Sequence, residues 1–152
     1  MKQILTTLLL TAMTAASAQA YCGDAHDKAF NQTVKRTFKA IKEQDSGTLL
    51  FIFNRDKVTI GPERTAVAYA DLQRQFADKS GDYYCDIFVC QAQPGLMNRL
   101  FNGISVSKSM SYNFGKAEGI VRISNGSVAS EIELRYSLNG ACEWQLDSLY
   151  HR

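Results

Sequence analysis

Proline is nearly absent: two residues in 152, beside two histidines and a single tryptophan. So little proline excludes a proline-rich linker or a polyproline ligand. Neither sign of charge dominates, since 17 Lys and Arg against 15 Asp and Glu leave a formal +2. That balance argues against nucleic acid or an anionic membrane as the main partner. Beyond the first 20 residues no apolar run approaches the length of a membrane-spanning helix. The sequence also lacks a Gly-x-Ser-x-Gly elbow, a His-Glu-x-x-His helix, a phosphate-binding loop and an EF-hand loop. The commonest hydrolase, metalloprotease, nucleotide and calcium chemistries therefore have no motif to rest on, and no cofactor is implied. What remains is 45% hydrophobic and 21% charged, the composition of a single globular domain at this length.

The first 20 residues read as an export leader. Lys2 supplies a positive start, Ile4–Ala16 an apolar stretch, and Ala18-Gln19-Ala20 the small residues that a signal peptidase requires. The expected organisation is a signal peptide over residues 1–20 and one domain over 21–152, in a periplasmic or secreted protein. Cys22 is not a lipidation site on this reading, because Tyr21 and Gln19 occupy positions that need a small and an aliphatic residue. Four cysteines remain: Cys22, Cys85, Cys90 and Cys142. With no Cys-x-x-Cys knuckle they read as two disulfides and not as a zinc site. Of the three connectivities, Cys22–Cys142 with Cys85–Cys90 is preferred. The first ties the N-terminus to the last strand, and the second needs only a local turn. Disulfides would also leave no thiol nucleophile.

Hydrophobic periodicity divides the domain into a helical half and a stranded half. Phe30, Val34, Phe38 and Ile41 form one apolar stripe on a helix within Asp24–Gln44, with stop chemistry at Asp45-Ser46-Gly47. Leu49–Phe53 is a solid apolar run that fits a short helix or a buried strand equally well. Lys57–Ile60 reads as a strand, Ala70–Lys79 as a helix, Tyr83–Cys90 as a compact apolar segment and Gln93-Pro94-Gly95 as a turn. From residue 104 the period becomes 2, through Val106, Met110, Tyr112 and Phe114, then Ile132, Leu134 and Tyr136, then Trp144, Leu146 and Tyr150. Such alternation predicts half-buried antiparallel strands, with Asn125-Gly126 and Asn139-Gly140 as hairpin turns. The buried face of that sheet needs a cover, and only the N-terminal helices can supply it. The fold class is therefore α+β.

This order resembles the SnoaL-like, nuclear-transport-factor-like superfamily of cystatin-like α+β cones. The resemblance is carried by Phe38-Lys39-Ala40-Ile41-Lys42-Glu43-Gln44-Asp45, the run Leu49–Phe53, the strand at Val58 and the closing hairpins through Trp144. It implies a long N-terminal helix and two short ones packed into a strongly curved antiparallel sheet. Enzymes of the superfamily are similar in placing a carboxylate, histidine or tyrosine inside the cone, and no position here matches such a motif.

Candidate functional residues follow from chemistry. His26 and His151 would form an acid–base pair for phosphodiester cleavage, but their positions read as frayed termini. Asp82 and Asp86 beside Tyr83 offer a carboxylate–tyrosine pair for proton transfer in an isomerase or hydrolase. Arg99, Arg122 and Arg135 are candidates for an anionic ligand. Lys28, Lys35, Arg36, Lys39 and Lys42 lie mainly on the polar side of the first helix and would dock an acidic surface. Trp144, alternating with Leu146 and Tyr150, belongs to the core. The leading expectation is a non-enzymatic exported binder of the inhibitor or immunity type, or a carrier of a small apolar ligand. Its site would be formed by basic and aromatic residues, led by Lys35, Arg36, Lys39 and Lys42. The small cone enzyme is the alternative. Protein recovered from periplasm or medium should have the intact mass of a chain beginning at Tyr21. A mass that includes residues 1–20, or a lipid adduct on Cys22, contradicts the leader.

Overall fold

The computed structural model describes residues 22, 26–90, 105–113, 116–124 and 131–151. The leader, Tyr21, Arg99 and the expected turns at Gln93-Pro94-Gly95 and Asn125-Gly126 lie outside the described residues. Helix α1 spans His26–Lys42 and buries Phe30, Val34, Thr37, Ala40 and Ile41. Phe38, one of the four predicted stripe residues, is only half-buried. Thr37 takes the inward position, its hydroxyl satisfied by donation to the Thr33 carbonyl at 3.0 Å. Asp45 then ends one helix and starts the next. Its carboxylate accepts the Thr48 amide at 2.9 Å and the Thr48 hydroxyl at 2.6 Å, capping α2 (Ser46–Ile52). Those bonds hold its pKa below the usual aspartate value. Helix is thus the outcome for the ambiguous run, with Phe53 leaving it to bridge Leu146 of the sheet.

Two three-residue strands follow, β1 (Val58–Ile60) and β2 (Thr65–Val67), then helices α3 (Tyr69–Asp78) and α4 (Asp82–Ile87). The stranded half supplies β3 (Ser105–Asn113), β4 (Lys116–Ser124), β5 (Ile132–Leu138) and β6 (Trp144–His151). Together they make one curved, open sheet in the order β2-β1-β6-β5-β4-β3, with the helices packed on one face in a single domain. The C-terminal strands form the expected antiparallel meander. The hairpin of β1 and β2 extends it, and β1 lies parallel to β6 with Thr59 opposite Ser148. That pairing makes the sheet mixed where only antiparallel strands were expected. A parallel contact between strands so distant in the chain leaves no local trace, unlike a hairpin. The turn at Asn139-Gly140 also differs from the predicted two-residue type. Residues 139–143 form the loop, the Asn139 side-chain oxygen accepts the Ala141 and Glu143 amides, and Cys142 adopts a positive φ of 62°.

Two disulfides staple this frame, Cys22–Cys142 and Cys85–Cys90. A loop of the length closed by the first restricts the unfolded chain by roughly 4–5 kcal/mol on chain-entropy grounds. Among the described residues no helix is long and apolar enough to cross a membrane.

The core lies between the helices and the inner sheet face, where Gly119, Tyr136 and Leu146 stand in one cross-strand row and Val121, Leu134 and Leu149 in the next. Phe30 enters this surface edge-on to Tyr136 at 5.5 Å and tilted against Trp144 at 5.0 Å. A Cβ on Gly119 would collide with the Phe30 ring. The ring, 3% exposed and flanked by two aromatics, has no room to retreat. Gly119→Ala is therefore expected to destabilise the fold by about 1–3 kcal/mol through overpacking. Trp144→Ala should cost about 3–5 kcal/mol by leaving a cavity. Denaturant unfolding measures both, and a neutral Gly119→Ala would contradict the close contact.

Candidate functional site

Helical phase decides which α2 residue faces outward. Leu49 and Ile52, three apart, point into the core, so Phe51 between them faces solvent and is 62% exposed. The same phase argument divides the basic residues of α1. At about 100° per residue, Lys28, Lys35, Lys39 and Lys42 share one rib, and Arg36 sits on its edge toward α2. The Arg36 guanidinium lies 5.9 Å from the Phe51 ring centroid. Past the end of α2, the Arg55 guanidinium lies 5.8 Å from the ring of Tyr69, whose hydroxyl donates to the Leu50 carbonyl at 3.0 Å. Both distances are within the range of a cation–π contact.

These residues bound a groove of about 430 Å³ between α1, the end of α2 and the start of β6. Thr33 and Arg36 form one wall, Phe51 and Arg55 another, and Glu143 and Trp144 the third. Cys142 also lines the groove, so the Cys22 disulfide fixes the loop that forms its end. The groove offers two guanidinium groups, one exposed ring and one carboxylate, Glu143, whose Oε2 accepts from Asn139 at 3.3 Å. Of the four basic residues expected to form the site, Arg36 lines this groove. Lys39 stands 3.9 Å from Glu43 on a widely exposed rib, the kind of pair that contributes little to stability. Lys35 and Lys42 are exposed farther around the helix.

The acidic candidates are separated differently. Asp82 is exposed in the first turn of α4, and the Tyr83 amide donates to Gln75 Oε1 at 2.9 Å. Asp86 Oδ2 lies 2.7 Å from His151 Nε2, making a carboxylate–histidine pair in place of a carboxylate–tyrosine one. His151 is not on a frayed terminus: it closes β6 opposite Ile132 and is 8% exposed. His26 is likewise anchored, its carbonyl accepting the Trp144 indole N–H at 3.3 Å. That bond places His26 at one end of β6 and His151 is its last residue. Eight residues of strand put them about 23 Å apart, too far to share one phosphodiester.

Arg122 and Arg135, expected to offer themselves to an anion, bind an internal one. Glu133, 5% exposed, accepts from Arg135 Nε at 2.6 Å, Arg122 Nε at 2.8 Å and Arg64 Nη2 at 2.9 Å. Desolvation pushes the Glu133 pKa up, but hydrogen bonds and charge from Arg135 and Arg122 outweigh it and hold it below the usual glutamate value. Burial pushes the Tyr136 phenol well above its ordinary value, outweighing an opposing contribution from Thr37, and keeps it neutral. Phe51 and Arg55 escape a reading of the sequence. Only the assignment of Leu49–Phe53 to a helix would have turned Phe51 outward, and no local pattern marks Arg55.

No family model matches the chain, and no curated protein sequence matches it. Solved structures do resemble it. An NTF2-like protein from Cytophaga hutchinsonii is 12% identical with a TM-score of 0.48, over 82% of this chain and 95% of that one. A protein with a cystatin-like fold from Nostoc punctiforme is 13% identical with a TM-score of 0.47, over 82% and 88%. An NTF-2 like protein from Silicibacter pomeroyi is 15% identical with a TM-score of 0.44, over 84% and 94%. The resemblance is one of fold alone.

The Glu133 cluster gives a pH dependence with a defined sign. A carboxylate whose pKa is lower in the folded state stabilises the protein above the unfolded value, near 4.5. That contribution is lost as pH falls through the folded value. Glu133→Gln should flatten this acid limb in thermal unfolding. At neutral pH it should cost no more than about 3 kcal/mol, the lower end for a broken buried pair, since the arginines are half-exposed. An unchanged acid limb would show that Glu133 is not the group responsible.

Proposed function

We infer that this chain is an exported, disulfide-stabilised binding protein of the inhibitor or immunity type, and that the Arg36–Phe51–Arg55 groove is its docking site. The observation that carries this reading is Phe51, a phenylalanine 62% exposed on a seven-residue helix and bordered by two guanidinium groups. An exposed aromatic among arginines is the composition of an interface anchor. The matching partner is an exported protein with an acidic side chain beside an apolar one, the acid reaching Arg36 or Arg55 and the apolar group covering Phe51. Gln32, Thr33, Gln145 and Glu143 make the groove walls polar, which favours a protein surface over a small apolar ligand. The lysine rib of α1 adds long-range attraction to the same partner.

A second reading rests on the 2.7 Å contact between His151 and Asp86. In an isomerase or hydrolase this pair would move protons, Asp86 orienting the imidazole. Only 11% of the His151 side chain is exposed, and its carboxylate partner joins α4 to β6, so its structural use is already strong.

The partner is best sought among exported toxins or lytic enzymes encoded beside this chain. Phe51→Ser should weaken such a complex by about 2 kcal/mol or more, roughly thirtyfold in Kd, as an anchor does. Unfolding should shift by less than about 0.5 kcal/mol, because the side chain lies outside the core. Arg36→Glu with Arg55→Glu should mainly slow association, most strongly at low salt. Asp86→Asn should leave binding unchanged. Binding that survives Phe51→Ser but fails with Asp86→Asn would move the site to the second reading.

A further inference from the structure

The sheet face turned away from the helices carries charges in a fixed order. Its cross-strand rows follow from the register. Arg122, Glu133 and Tyr150 make the first; Ile120, Arg135, Ser148 and Thr59 the second; Glu118, Ser137 and Gln145 the third. In the first row Glu133 binds Arg64, Arg122 and Arg135 at once, and the Arg64 guanidinium also lies 4.6 Å from the Tyr150 ring centroid. Arg122 and Arg135 both spend Nε on this buried carboxylate, which leaves their terminal nitrogens to other partners. Among the described residues no hydrogen bond occupies those nitrogens. Three guanidinium groups against Glu133, with Glu131 at 3.8 Å from Arg122, leave this end positive.

The third row has the opposite sign. Asp147 Oδ1 accepts from Ser137 Oγ and Asn54 Nδ2, both at 2.8 Å, and Glu118 stands directly across from Ser137 on β4. Lys57 lines the same region, forms no ion pair among the described residues, and offsets part of this charge. Ser137 is two strand residues from Arg135, so the two ends are about 7 Å apart. No ion pair joins Arg135 to Asp147 or Glu118 among the described residues, so the charges remain separate. Between them is a hollow of about 200 Å³, floored by Ile120 and by Thr59 and Ser148, whose hydroxyls are 2.8 Å apart.

We propose that this hollow binds a small zwitterion, its carboxylate on the terminal nitrogens of Arg135 and on Nη1 of Arg64, and its ammonium between Glu118 and Asp147. Glu133 is a positioning residue: buried and anionic, it gathers three like charges and holds two of them, Arg64 and Arg135, at the edge of the hollow. A simple anion gains the basic end but meets the two carboxylates, and a simple amine meets the arginines. Only a molecule with both charges satisfies both ends. This site is independent of the Arg36–Phe51–Arg55 groove and does not rest on it.

The test is an amide NMR titration of the disulfide-intact protein with 5-aminopentanoate, pentanoate, glutarate and pentylamine. 5-Aminopentanoate is expected to give saturable shifts confined to residues around Thr59, Ile120, Arg135 and Ser148. It should bind at least fivefold more tightly than each of the other three. Arg64→Gln, a half-exposed change, should weaken it several-fold without altering the melting temperature by more than a few degrees. Glu118→Gln, fully on the surface, should remove most of its advantage over pentanoate. The absence of saturable shifts overturns the site. So does equal binding of glutarate, or a Glu118→Gln variant that leaves the ligand order unchanged.

Discussion

Where α1 crosses the sheet, the Phe30 ring lies on the bare backbone of Gly119, between Tyr136 and Trp144. This contact fixes the height and rotation of the longest helix. Val34, Thr37 and Ile41 follow Phe30 at helical spacing, so seating one ring commits the whole inner face of α1. The outer face is committed with it. Arg36 is brought alongside α2 because Phe30 has set the helix phase, and the Asp45 cap sets the phase of α2 that turns Phe51 out to meet it. The groove is thus a by-product of core packing, its shape set by Phe30, Gly119 and Asp45, which do not line it.

The molecule uses its charges in three ways. On α1 they are solvated and widely exposed, contributing little to stability and available for long-range attraction. At the far end of β6, Asp86 and His151 tie a short helix to the sheet. On the outer sheet face one buried carboxylate restrains three arginines, and the cost of desolvating Glu133 is offset by their hydrogen bonds. The bulge between Arg135 and Tyr136 breaks the alternation on β6 beside that cluster, which carries Asp147 toward Ser137 and Asn54.

Much of the fold was legible because its signals are local. The stripe of α1, the period-2 alternation of β5 and β6, the core position of Trp144 and the helices covering the sheet all appear as spacing. On the edge strand β3 the same alternation misleads, since Val106 and Met110 are exposed where burial was expected. Long-range contacts are what spacing cannot encode. The parallel seat of β1 against β6 brings Thr59 to Ser148, residues with nothing between them in sequence to announce the pairing. His151 looked like a loose end because its support comes from Ile132 and Asp86, both remote. Of the candidate site, Arg36 was visible as part of a basic helix face. Phe51 was hidden in a run that reads equally as strand, and Arg55 had no pattern at all. Arg122 and Arg135 were recognised as a charge resource, but their common partner was not, since an acid at alternate strand positions usually signals a solvated face.

The order of strands also bears on how the chain is made. Of the described strands β6 is the last in chain order, yet it lies inside the sheet, with β1 on one side and β5 on the other. Until it arrives, β1 and β2 have no neighbour to join and the β3–β5 meander has an open flank. The ring of Phe30 likewise has no Trp144 to rest against. Cys22, near the beginning, must wait for Cys142 just before that final strand. A growing chain therefore cannot complete this domain from its N-terminus onward. Closure waits for β6, which joins the early β1–β2 hairpin to the β3–β5 meander.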